Sequence, residues 1–124
     1  MTTLPQIGLD GYTLKEYIQL MFTFLELAPF SVVREKYLDD RDFAALQNFL
    51  IKYPEAGDVI PGSGGCRKLR YALEGRGKRG GARVIYFLQL ANGRIVLVTM
   101  YAKNVRENID PALLKCLKEL FENE

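Results

Sequence analysis

A chain of 124 residues can bury the core of one domain and is too short for two. Its 48% hydrophobic and 26% charged residues match an ordinary soluble globular protein, and no apolar run nears the roughly 20 residues of a membrane helix. A net charge of +2 says little by itself, but the lack of any histidine excludes histidine acid–base catalysis, catalytic triads and Cys/His zinc sites, so any proton chemistry falls to Lys, Arg, Tyr, Asp or Glu.

Residues 1–20 read as an N-terminal extension, followed by one domain over 21–124. Within the extension, Thr13 and Glu16 have capping-box spacing ahead of Leu14, Tyr17, Ile18 and Met21, which predicts a short amphipathic helix. A loosely attached tail is the plain alternative. The opening MTTLPQIGLD has no basic start and no long apolar stretch, so no signal peptide is expected. Cys66 and Cys116 fit no metal spacing and read as thiols in a reducing cytoplasm.

Phe22 to Leu27 alternates and is aromatic, which predicts a strand ended by Pro29. Ser31 is expected to cap a helix over Val32–Tyr37, and Asp39 or Asp40 a second one with Phe43, Leu46, Leu50 and Tyr53 on its apolar side. Pro54 stops it. A short strand is expected at Asp58–Ile60, then three strong ones at Lys68–Leu73, Arg83–Leu90 and Ile95–Ala102, with Asn92-Gly93 as a tight turn between the last two. Asp110 caps a final helix with Pro111 in its first turn and Leu113, Leu114, Leu117, Leu120 and Phe121 as its apolar face. This order predicts an α+β fold: a small antiparallel sheet with helices packed on one face and the other face open.

The window from Arg67 to Arg83 holds seven Lys/Arg and one acid, Glu74, so the rest of the chain sums to about −4. Gly75, Gly77 and Gly80 satisfy a GxGxxG pattern, but the segment behind it, ARVIYFLQL, reads as a strand, whereas a dinucleotide loop must open a helix. GSGGCRK lacks the Gly-Lys-Ser/Thr ending of a phosphate-binding P-loop. A solvated hairpin tip is one reading of the charge. A polyanion site is the other, since the cations continue into the flanking strands. Alternation puts Lys68 and Arg70 on one face and Leu69, Tyr71 and Leu73 on the other. Glycine backbone, Lys78 and Arg79 suit phosphate oxygens, and Tyr71, Tyr86, Phe87 and Tyr101 are candidates for stacking on bases. Tyr86 and Phe87 point to opposite faces, so one of the two is expected to be exposed.

GDVIPGSGGCRKLRYALEGRGKRGGARVIYFL and the later VTMYAKN resemble the HigB-type branch of the RelE toxin superfamily, from about Met21 to Glu124. The resemblance implies a RelE/ParE toxin-like fold and a type II toxin: a cytoplasmic endoribonuclease that cuts messenger RNA in the ribosomal A site and blocks translation, with no metal or cofactor. It implies a cognate helix-turn-helix antitoxin resembling HigA. It also implies site residues. Lys68 and Arg70 match the family's basic pair, Arg83 the arginine opening the next strand, and Tyr101 and Lys103 the Tyr-x-Lys-Asn motif. In this picture Arg83 clamps phosphate, Lys68 or Lys103 moves a proton, and Tyr101 positions or stacks a base. Lys78 and Arg79 match the branch's basic loop and, with Arg67 and Arg76, are read as contacts to ribosomal RNA. Asn104 stands where the best-known members carry arginine, and no tyrosine follows Tyr101, so the acid and base stay unassigned. Two alternatives remain: a ParE-like inhibitor of DNA gyrase, and a non-catalytic RNA-binding module.

Overall fold

The computed structural model describes residues 22–72, 81–102 and 109–123. The expected helix before Met21, the extension boundary, the end of the strand at Leu73, and Arg76, Lys78, Arg79 and Lys103 lie outside the described residues.

Five strands, β1 (Thr23–Glu26), β2 (Asp58–Val59), β3 (Arg67–Tyr71), β4 (Ala82–Gln89) and β5 (Arg94–Ala102), form one sheet in the order β1-β5-β4-β3-β2. Three helices, α1 (Ala28–Tyr37), α2 (Asp40–Lys52) and α3 (Pro111–Glu122), complete an α+β fold. The strand positions agree with those expected from the sequence; the sheet is mixed rather than wholly antiparallel. β1 runs parallel to β5, with Phe24 opposite Ile95, because the chain leaves β1 into two helices and three strands before β5 arrives beside it.

Helix α1 starts earlier than Ser31 suggests. Pro29 sits in its first turn, where a missing N–H costs nothing, and Leu27 is the N-cap residue. Ser31 instead donates from Oγ to Glu26 Oε1 at 3.1 Å, tying α1 to β1. Helix α2 begins with a reciprocal cap, the Asp42 N–H donating to Asp39 Oδ1 at 2.7 Å and the Asp39 N–H to Asp42 Oδ2 at 3.4 Å. The last two strands are joined through a 3-10 turn at Leu90–Asn92, with Gly93 at φ +63°, so Asn92-Gly93 closes a longer loop than a two-residue turn.

Helices cover both faces of the sheet. On one face, Phe30 and Tyr37 of α1 and Leu46 and Leu50 of α2 pack against Leu69, Val84, Tyr86, Ile95 and Leu97. On the other, Leu114 of α3 is fully buried with Cys66, Ile85, Phe87, Val96 and Val98, and Leu117 and Phe121 pack alongside. The expectation of an open second face is therefore corrected: that face carries too much apolar surface to leave wet. Within α3 the buried stripe runs through Leu114, Leu117 and Phe121, while Leu113 and Leu120 remain 46% and 68% exposed. Among the described residues, no helix is long and apolar enough to cross a membrane.

Tyr86 and Phe87 are both fully buried, so neither offers a ring to solvent. Phe87 meets the Phe121 ring edge-on at 5.7 Å. The Tyr86 hydroxyl donates to the Pro54 carbonyl and accepts the Gly57 N–H, each at 2.8 Å. Burial raises the Tyr86 phenol above its ordinary 10.0, partly offset by the Gly57 hydrogen bond and nearby Arg67. Burial likewise raises the Cys66 thiol above 9.0 against the opposing pull of Lys118 and Ser63. Both groups stay protonated in the fold where the unfolded chain ionises. Their contribution to stability is thus complete below about pH 9 and is lost as pH rises through the raised values. Thermal melts at increasing alkalinity should show the midpoint falling from about pH 9, with a shallower first decline in Cys66→Ala. Equal slopes for both proteins would show that Cys66 plays no part.

Candidate nucleic-acid interface

The face shared with α3 also carries the cations. Hairpin register sets Arg70 of β3 directly opposite Arg83 of β4, and Arg83 opposite Tyr101 of β5. The next row in the same face reads Asp58, Lys68, Ile85, Thr99 across β2 to β5. Lys68, Arg70, Arg83 and Tyr101 therefore form one group, brought together by three neighbouring strands. Their neighbour Ile85 belongs to the α3-side core, so the group borders the part of the sheet that α3 covers.

Arg70 is exposed and Lys68 half-buried. Arg83 is only 9% exposed and Tyr101 6%, so the group grades from a wet edge at β3 to a dry centre at β5. Two arginines set directly opposite one another repel, and such a pairing weakens a sheet. The pairing concentrates positive potential at this end of the hairpin. Arginine forks on paired positions of adjacent strands suit a phosphate, whose oxygens can accept two N–H bonds from a fork. Partial burial strengthens that attraction, because field lines there pass through less water.

Gly81 sets the end of the β3–β4 pair. Its φ is +61°, and its backbone lies against the Tyr71 carbonyl, leaving no room for a side chain. The glycine that follows the GxGxxG pattern thus meets a structural demand of its own, two residues before Arg83. GSGGC forms a turn with Gly62, Gly64 and Gly65 at positive φ, and leads into strand β3, in keeping with the rejection of a P-loop. Ser63 fastens that turn, its Oγ donating to the Ile60 carbonyl at 2.6 Å and accepting the Cys66 N–H at 3.0 Å.

Arg67 does not join the group. It lies on the opposite face in register with Tyr86, and its Nη1 donates to the carbonyls of Glu55 and Gly57 at 3.1 and 2.8 Å. Together with the Tyr86 hydroxyl it holds the 54–57 loop. Tyr71 also faces the α1–α2 layer, its ring 6.5 Å from that of Phe49. Of the four aromatic candidates for stacking, Tyr101 is the one beside the cations. Two further polar residues belong to the same two rows and escape a reading by alternation: Asp58, which only strand pairing sets opposite Lys68, and Thr99.

One comparison bears on this geometry. A family model described as "RelE toxin of RelE / RelB toxin-antitoxin system" matches residues 55–123. The match covers more than half of the chain and includes β2 to β5 and α3, the elements that build the cationic face.

Proposed function

The chain belongs to the RelE toxin family of toxin–antitoxin systems, and we propose that it is a ribosome-dependent messenger-RNA endonuclease of the HigB-type branch. Family membership carries with it a cognate antitoxin; a HigA-like helix-turn-helix protein is the form we propose. The proposed place of action is the cytoplasm, in the A site of translating ribosomes, with residues 21–124 as the toxin domain and 1–20 as an extension. The observation that carries the reading is the opposition of Arg70 and Arg83 beside Lys68 on one face.

In the proposed reaction the 2′-oxygen of a ribose attacks the adjacent phosphorus. The O2′–P bond forms, the P–O5′ bond breaks, the 2′-proton passes to a base, and O5′ gains a proton. The products are a 2′,3′-cyclic phosphate and a 5′-hydroxyl end. Arg83 and Arg70 stabilise the extra charge on the non-bridging oxygens, an effect worth about 3 kcal/mol per preorganised donor. Lys68 or Lys103 serves in proton transfer, and Tyr101 supports Arg83 from the neighbouring strand. Arg76, Lys78 and Arg79 are proposed contacts to ribosomal RNA; Arg67 is better explained by its loop carbonyls.

Inducible expression with mapping of RNA 5′ ends tests the proposal. Growth arrest should accompany codon-phased cuts with 5′-hydroxyl ends on translated messages. Arrest with DNA damage and no such cuts would point to gyrase, and no arrest with retained RNA binding to a non-catalytic module.

A further inference from the structure

Strand β5 contains one residue more than β4 needs. Leu97 pairs with Tyr86 and Thr99 with Ile85, so Val98 is left over as a bulge. Its effect can be followed through the core. Leu97 and Met100 belong to the α1–α2 layer, while Val98 and Tyr101 belong to the α3 side. Thr99, paired with Ile85, joins Val98 on the α3 side, so two successive residues share one face. Within the strand, Ile95 to Val98 and Met100 to Ala102 are buried, and Thr99 alone among these interior positions is only half-buried.

We propose that Thr99 is the residue that recognises ribose, its Oγ accepting a hydrogen bond from a 2′-hydroxyl of single-stranded RNA lying on the cationic face. The inference rests on the RNA reading above and adds to it a means of telling RNA from DNA. Lysine and arginine only donate hydrogen bonds, so Lys68, Arg70 and Arg83 hold phosphate equally well in either nucleic acid. A 2′-hydroxyl both donates and accepts, and the proton it donates is read by a side-chain acceptor, which these cations are not. Among the described residues, three side-chain acceptors belong to the two cationic rows. The Tyr101 oxygen is covered. Asp58 sits opposite Lys68 on the outermost strand, two strands from Arg83, and its negative charge repels a phosphate backbone. Thr99 is neutral, half-buried and the diagonal neighbour of Arg83, about 7–8 Å away between Cα atoms. One ribose bridges that gap when its phosphate rests on Arg83.

The test is binding of a short labelled single-stranded RNA, its DNA counterpart and its 2′-fluoro counterpart at low salt, read by fluorescence anisotropy. Wild type should prefer RNA over both analogues. Thr99→Val keeps the branched shape and removes the acceptor, and should cut that preference by about three- to tenfold while leaving the salt dependence intact. Thr99→Ser should retain it. An unchanged preference in Thr99→Val, or no preference in wild type, overturns the assignment and leaves the RNA reading standing. Absence of salt-dependent RNA binding by wild type would instead remove that reading and this assignment together. Thermal melts of both variants separate a lost contact from a lost fold.

Discussion

Arg83→Ala is expected to lower RNA cleavage by about two to three orders of magnitude, the loss typical of removing one preorganised donor from a developing oxyanion. The side chain is only 9% exposed and stands between Arg70 and Tyr101, so its guanidinium works in a drier setting than a surface cation. Arg83→Lys keeps the charge and loses the two-pronged geometry, and should recover only part of the activity. Truncation of a buried arginine can also disturb packing, so both variants need a thermal midpoint near wild type before their rates are compared. Arrest of growth on induction and the yield of 5′-hydroxyl ends are the readouts. A folded Arg83→Ala that cleaves at the wild-type rate would show that the phosphate does not sit between the two arginines.

The second large effect is on folding. Gly81→Ala should destabilise the protein by about 3 kcal/mol, combining the left-handed backbone penalty with a steric clash. A Cβ there would collide with the Tyr71 carbonyl oxygen and come within 3.0 Å of the carbonyl carbon and 3.1 Å of Ala72 Cα. Backbone atoms paired in a sheet have little freedom to retreat. For a domain of this size the midpoint should fall by roughly 10–20 °C. Gly65→Ala is the control: φ is +104°, yet nothing lies within 4 Å of the added carbon, so its loss should be smaller, about 1–2 kcal/mol. Equal losses in the two variants would mean that strain at φ, and not the close approach to Tyr71, governs Gly81. The same clash would displace Ala82 from Tyr71, and with it the register that opposes Arg70 and Arg83.

Much of this is legible in local chemistry. The Asp39 cap, the Pro111 start and the strands from Lys68 onward are all marked by neighbours within four or five residues. Alternation also puts Lys68 and Arg70 on one face correctly. The features that escape depend on distant partners. Nothing near Thr23–Glu26 tells that β5 will lie parallel to it. Pro29 signals a break, and only the path of the chain decides whether it ends a strand or opens a helix. The second helical layer is hidden because Ile85, Phe87, Val96 and Val98 show their shared face only after pairing. Thr99 is hidden for a related reason: strict alternation from Ile95 assigns it to the α1–α2 side, and the bulge at Val98 reverses that. Arg67 resembles one more cation in a basic run, and strand parity alone could set it apart from Lys68.

The parallel pairing of β1 with β5 also has a bearing on synthesis. The first strand described is held by the last, with Thr23 beside Arg94 and Glu26 beside Leu97. Tyr101, the neighbour of Arg83, comes later still. A nascent chain that has not yet released β5 lacks both the closing partner of its first strand and the tyrosine that flanks Arg83. Contacts this far apart in sequence form slowly. The domain therefore closes its sheet only after β5 is released, when Lys68, Arg70 and Arg83 have already been made and wait on β3 and β4 for the strand that completes their setting.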